Sequence, residues 1–223
     1  MDYSKVLSPT VQSIKPSGIR KFCDIAETMQ DVISLGVGEP DFDTPEAIKL
    51  AAMAALQDNQ THYAPNQGTL SLRKAIADFE TARGNDTKPE NVLVTIGACH
   101  AIFTALLGIL NPGEEIIVPT PGFMLYDTIA TIAGAKAVPL DISKTGFQIE
   151  EAALNALITE KTKAIIVVDL SGIVADYEKI FEIVERKKNL FTPMVSDGTP
   201  LNDLSARIQK AIGRVAVVAD DAH

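Results

Sequence analysis

Three short segments hold residues of types that do chemistry, and each lies where an apolar run ends. Thr95-Ile96-Gly97-Ala98-Cys99-His100 joins an apolar run to a helical pattern. A turn of small residues at a helix N-terminus leaves backbone N–H groups pointing outward along the positive end of the dipole, a cradle for an anion such as phosphate. A tight strand-to-helix turn that needs glycine explains the same letters. Pro119-Thr120-Pro121-Gly122-Phe123 ends the next run. An aromatic at a strand's carboxyl end stacks on a planar ring, or simply packs on the core. Asp220, Asp221 and His223 close the last run. A carboxylate there is costly unless it meets a cation or a donor, which suits a protonated ring nitrogen. A solvated loop carboxylate is the plainer reading.

Other candidates carry less. His62 and His100 have no Asp or Glu at metal-ligand spacing, so no metal site is expected and packing or surface roles suit them. Ser171-Gly172 lacks the nucleophile elbow of a hydrolase. Cys23 and Cys99 are far apart with no CxxC spacing, so neither a zinc site nor a redox motif is indicated.

The elements that must position these groups alternate. Residues 31–45 read as a short apolar strand running into a Gly/Pro/Asp loop. Thr44 is the expected N-cap of a helix with Pro45 at its first position and Glu46 on the dipole. A second helix follows over 70–84, ended by Gly84. From residue 91 strand and helix alternate: strands over 91–97, 114–121, 135–142, 163–170 and 214–223, and helices over 98–110, 123–133, 149–157 and 177–188. Short apolar runs bounded by turns fit strands buried on both faces. Such alternation calls for a parallel sheet wrapped by crossovers. The expected fold is therefore three-layer α/β/α, with about five mostly parallel strands. Residues 190–213 insert a loop and a helix before the last strand. In open α/β sheets ligands sit at the carboxyl ends of strands, where all three chemical segments fall.

Composition excludes several classes. The chain has 223 residues, 20 Lys and Arg against 29 Asp and Glu, a net charge of −9 and 46% hydrophobic residues. That is a globular composition. A negative chain disfavours nucleic acid and anionic membranes, and no apolar run approaches the roughly 20 residues a membrane span needs. The N-terminus has no signal-peptide core, so a cytoplasmic protein is expected.

A phosphate cradle, a planar stacker and an acid for a ring nitrogen, each at a different strand end, together describe a bound pyridine phosphate. The stretches ISLGVGEPDFDTPEAI, THYAPNQGTLSLRKAIA, NVLVTIGACHAIFTALLGILNPGEEIIVPTPGFMLY and AGAKAVPLDI…GFQIE carry the family likeness. Residues 31–165 resemble a fold type I aminotransferase of the aspartate aminotransferase superfamily, dependent on pyridoxal 5'-phosphate. The resemblance implies that Gly97, Ala98 and Cys99 bind the cofactor phosphate and that Phe123 stacks on its ring. It implies that Asp220 pairs with the ring nitrogen, with His223 beside it. Tyr63 would reach the phosphate of a partner subunit in a homodimer. Val37 and Gly38 would line an amino-acid or 2-oxo-acid substrate. Residues 1–45 would form an N-terminal arm and part of a small domain, and 46–223 part of the cofactor-binding large domain.

Two departures shape the expectation. Where the superfamily carries Asn-Pro-x-x-Pro-Thr-Gly, this chain reads DLSGIVADYEKIFEIV. From about Thr159 the pattern of Gly172, Asp176, Tyr177, Ile180, Asp220, Ala222 and His223 is more like the DegT-type sugar aminotransferases. The family's Schiff-base lysine has no counterpart among the lysines present, so the chain is expected to stop short of it, with no catalytic residue of its own. Lys163 and Lys210 are expected to be solvated. The expected function is amino transfer from an amino acid to a 2-oxo acid by parentage, with the chain as written inactive. The rival is a non-catalytic or composite α/β fragment that binds the cofactor noncovalently or not at all. A Rossmann-type nucleotide module is weakened by the single glycine at the first turn.

Overall fold

The computed structural model describes residues 5–33, 38, 40–170 and 172–221. Nine α-helices and four strands are found among these residues. The chain divides into two compact units: residues 1–15 with 96–223, and residues 16–95.

The larger unit opens with α1 (Pro9–Ser13) and continues from α5 (Gly97–Ile109) through β1 (Glu115–Thr120), α6 (Leu125–Ile132), β2 (Lys136–Asp141), α7 (Glu151–Leu157), β3 (Thr162–Val168), α8 (Tyr177–Arg186), α9 (Pro200–Ile212) and β4 (Ala216–Asp220). The strands form one parallel sheet in the order β2-β1-β3-β4. Period-two alternation sends successive side chains to opposite faces. Ile116, Val118, Ala164, Ile166 and Ala216 join Ile102, Leu106, Tyr126 and Ile129 of α5 and α6 in one core. Ile117, Leu140, Ile165, Val167 and Val215 join Leu154, Ile180 and Val184 of α7 and α8 in the other. This is the expected three-layer α/β/α fold. Each fully buried Ile or Leu removes enough apolar surface from water to contribute about 1.5–3 kcal/mol.

Three expectations are corrected. The strand expected over 91–97 does not form: residues 89–91 make a 3₁₀ turn, and Val94 N–H donates to Gln67 O at 3.1 Å. That amide is used inside the smaller unit, so the sheet has four strands and not five. Pro45, not Thr44, is the N-cap of its helix, which starts at Glu46 with no side-chain cap. Lys163 is buried, not solvated. Its ammonium donates to Glu160 O and Thr192 O, both at 2.8 Å, and lies 5.0 Å from the Phe191 ring centroid. Burial pulls its pKa down, opposed by the charges of Glu114 and Glu160.

The inserted stretch before β4 forms α9, as expected. Gln209 is its buried polar anchor. Its amide donates to Ile109 O at 2.8 Å and to both carboxylate oxygens of Glu114, and its oxygen accepts from Met194 N–H. A buried amide needs such partners to offset its desolvation.

The smaller unit contains α2 (Gly18–Glu27), α3 (Glu46–Gln57) and α4 (Leu70–Ala82). Thr69 caps α4 by accepting from Leu72 N–H at 3.4 Å. Arg73 ties α4 to the following turn through Pro89 O at 2.8 Å. Gly68 has φ +90°, and a Cβ there would lie 2.6 Å from Val94 Cγ2, so a side chain has no room.

Candidate active site at the carboxyl ends of the strands

The larger unit contains the three segments singled out by their residue types, two of them at strand ends and the first opening α5 with no strand before it. At the first, Gly97 opens α5 with φ +77°, a left-handed backbone that glycine adopts without strain. A methyl group built there would meet nothing within 4 Å. Ile96 stands at the N-cap and makes no side-chain cap bond of its own. His100 is exposed, and its Nδ1 accepts the Ile96 N–H at 3.3 Å. Cys99 is exposed in this first turn, as a free thiol.

At the second, β1 ends at Thr120 and Gly122 leads into Phe123. A Cβ on Gly122 would lie 2.4 Å from Pro119 O, so the turn that delivers the aromatic is closed to any larger residue. Phe123 is 44% exposed. It is therefore not consumed by the core, and has surface left for a ligand ring.

At the third, Asp220 ends β4 opposite Val168 of β3. Its backbone oxygen accepts from Asp169 N–H at 3.1 Å. The carboxylate is met by a residue the sequence reading did not single out. Tyr126 Oη donates to Asp220 Oδ2 at 2.6 Å, a charge-assisted length. The Tyr126 ring also stands edge-on to Phe123, with centroids 5.9 Å apart and planes at 88°. Burial, then the hydrogen bond to Asp220 and its charge, then Cys99, push the Tyr126 hydroxyl well above its ordinary pKa. It stays a donor. A signal for Tyr126 was available: it shares an apolar helical stripe with Ile129 and Ala130, and a buried tyrosine hydroxyl needs a partner.

A second polar group lies beside this one. Asp169 Oδ1 accepts from Ala175 N–H at 2.9 Å and holds the turn before α8. Tyr177 Oη donates to Asp221 Oδ1 at 3.5 Å. Burial, then the charge of Asp169, raise the pKa of Asp221.

Of the other expected site residues, Gly38 and Tyr63 belong to the smaller unit and are exposed. Val37 and His223 lie outside the described residues. Among the described residues no group of His, Cys, Asp and Glu is placed to hold a metal ion, and no helix is long and apolar enough to cross a membrane.

The donor set fits a pyridine phosphate. A helix N-terminus opened by glycine suits the phosphate, a half-exposed aromatic suits the ring face, and a carboxylate that accepts from a neutral donor suits a protonated ring nitrogen.

Comparison with known proteins agrees. The family model described as aminotransferase class I and II matches residues 30–198. The chain is 44% identical over 190 residues to the putative aminotransferase YugH of Bacillus subtilis, covering 82% of this chain and 49% of that protein. It is 42% identical over 164 residues to an aspartate aminotransferase of Pyrococcus abyssi, covering 72% and 42%. Among solved structures, aspartate aminotransferase from Thermus thermophilus with maleate superposes with a TM-score of 0.75 at 31% identity, covering 96% of this chain and 53% of that one. The chain thus spans about half the length of the curated relatives it matches.

Proposed function

The chain belongs to the class I and II aminotransferases, a pyridoxal-phosphate-dependent family, and from that premise we propose that its strand ends hold this cofactor for amino transfer between an amino acid and a 2-oxo acid. The observation that carries the reading is the meeting of Phe123, Tyr126 and Asp220 at the ends of β1 and β4.

Each residue has a proposed task. The first-turn amides of α5, at Gly97, Ala98 and Cys99, bind the phosphate through the positive end of the dipole. Phe123 stacks on the ring and fixes its plane. Asp220 accepts the ring N–H and keeps that nitrogen protonated. The cofactor supplies an electron sink for charge developing at the substrate's α-carbon. Gly38, and Val37 with it, line the substrate. Tyr63, wholly exposed in the smaller unit, reaches the phosphate site of a second subunit in a cytoplasmic homodimer. His223, outside the described residues, is assigned to the cofactor with Asp220. From Thr159 onward we read the sugar-aminotransferase branch. In that stretch Asp176 caps α8, accepting from Lys179 N–H at 3.1 Å, and Ile180 is buried in the core.

The test is titration of the full chain with pyridoxal phosphate, followed by absorbance. Saturable binding that inorganic phosphate competes away, and that Asp220→Asn weakens about tenfold, is the expected result. Borohydride treatment is expected to leave the protein mass unchanged, as fits binding without a lysine linkage. Absence of saturable binding overturns the reading.

A further inference from the structure

The loop before α9 and α9 itself wall an open cavity of about 680 Å³, the size of a small-molecule site. The loop is fastened along its length. Lys163 Nζ donates to Thr192 O and Met194 N–H donates to Gln209 Oε1, both at 2.8 Å. Ser196 Oγ donates to Asp203 Oδ1 on α9, and Thr199 N–H donates to Asp197 Oδ1 at 2.9 Å. The two walls are thus held in place before any ligand arrives, which lowers the ordering cost of binding. Lys163 is the second residue of β3, and Gln209 also holds Glu114, just before β1. These ties lie at the amino ends of the parallel strands, whereas Phe123 and Asp220 stand at or just after carboxyl ends. The match to the family model stops at residue 198, before α9 begins.

The lining divides by chemistry. Pro193, Met194 and Ala206 give it apolar surface, and Arg207 and Lys210 give it two cations. Three positions apart, the cations share one face of α9. Neither enters an ion pair among the described residues. Asp203 is the acid of the lining, and it takes the Ser196 hydroxyl. Arg207 and Lys210 lie about one and two helical turns beyond it, so positive charge gathers towards one end of the cavity. On a chain of net charge −9, two cations left beside apolar surface make a place for an organic anion. A guanidinium grips two oxygens of a phosphate group, and an ammonium adds a point charge. A phosphate monoester carries close to two negative charges at neutral pH, one for each cation. Inorganic phosphate would leave the apolar surface uncovered.

We propose that this cavity is a second ligand site, separate from the cofactor site, for a small organic phosphate monoester. Arg207 and Lys210 hold its phosphate, and Pro193, Met194 and Ala206 receive its apolar body. The proposal does not rest on the cofactor reading.

The experiment follows the backbone amides of the full chain by NMR during titration with phenyl phosphate, and with inorganic phosphate and phenol as the two halves of that probe. Phenyl phosphate is expected to shift the Met194, Ser196 and Ala206 amides saturably. It should bind about fivefold more tightly than either half, through the apolar area it covers, and more weakly as salt is raised. Arg207→Gln/Lys210→Gln should lower its affinity about tenfold. Both side chains are exposed and glutamine is a good helix former, so this variant keeps its fold. Pyridoxal phosphate is itself such an ester, and shifts at Gly97 or at Met194 tell which site it fills. Asp220→Asn should leave the phenyl phosphate shifts at Met194 unchanged. Three results overturn the proposal and leave the cofactor reading standing: no saturable shift around the cavity, an affinity that the double variant does not lower, or equal affinity for inorganic phosphate. Failure of pyridoxal phosphate to bind at the strand ends overturns the cofactor reading and leaves this proposal standing.

Discussion

Gln209 in the middle of α9 donates its side-chain amide to both carboxylate oxygens of Glu114, at 3.0 and 2.9 Å, 95 positions away in sequence. The same amide reaches Ile109 O, and its oxygen takes the Met194 N–H. A single buried side chain thus fastens the inserted helix and its loop to the end of α5 and the start of β1. Replacing it with leucine keeps the volume but takes the amide donor from Ile109 O and Glu114 Oε1 and the acceptor from Met194 N–H, while Glu114 Oε2 keeps its bonds from Asn111. Gln209→Leu is expected to cost roughly 2–3 kcal/mol, read by urea unfolding. The Met194 amide should also exchange faster with solvent. Gln209→Glu sets two acids face to face, so its loss should be largest at neutral pH and shrink as the solution is acidified and one acid takes up a proton.

Ser205 lies one helical turn before Gln209, fully buried, and its Oγ has no partner among the described residues. A buried hydroxyl without a partner destabilises the fold. Ser205→Ala is expected to stabilise the protein by about 1 kcal/mol, measured as a raised urea midpoint with an unchanged slope. A drop in the midpoint would mean that the hydroxyl has a partner in solution.

Asp221 offers a test of sign. Its folded pKa is raised, first by burial and then by the charge of Asp169. The folded state therefore holds its proton more tightly than the unfolded chain. The penalty is absent below the unfolded pKa, grows as pH rises through the window between the two values, and is complete above the folded one. Asp221→Asn should raise the unfolding temperature at pH 7 to 8 and lose that advantage as pH falls towards 4. An advantage independent of pH would assign the effect to something other than the charge.

Phe123 separates binding from folding. Its ring is nearly half exposed, so Phe123→Leu should leave the unfolding temperature almost unchanged. Losing a stacked aromatic face is worth about 1 kcal/mol, so pyridoxal phosphate affinity should fall roughly fivefold in an absorbance titration. A large fall in stability with affinity intact would place the ring in the core instead.

The letters alone were enough for the alternation of strand and helix from residue 97 onward, for Gly97 at the start of a helix and for Phe123 and Asp220 at or just after strand ends. These are local properties. An apolar run of period two, a glycine before a helix and a polar residue after a buried strand keep their meaning wherever the segment lies. Tertiary structure alone decided which distant groups meet. The run at 91–97 has a strand's composition, yet its Val94 amide is taken by Gln67 O, and no local pattern reveals such a competitor. Lys163 reads as a solvated lysine until the chain returns at Phe191 and Thr192 to cover it. Tyr126 reads as one more apolar helix position until the register of β4 on β3 brings Asp220 to its hydroxyl. Hydrogen bonds between residues nearly a hundred positions apart depend on sheet register and layer packing, which are properties of the whole sheet and of no single segment.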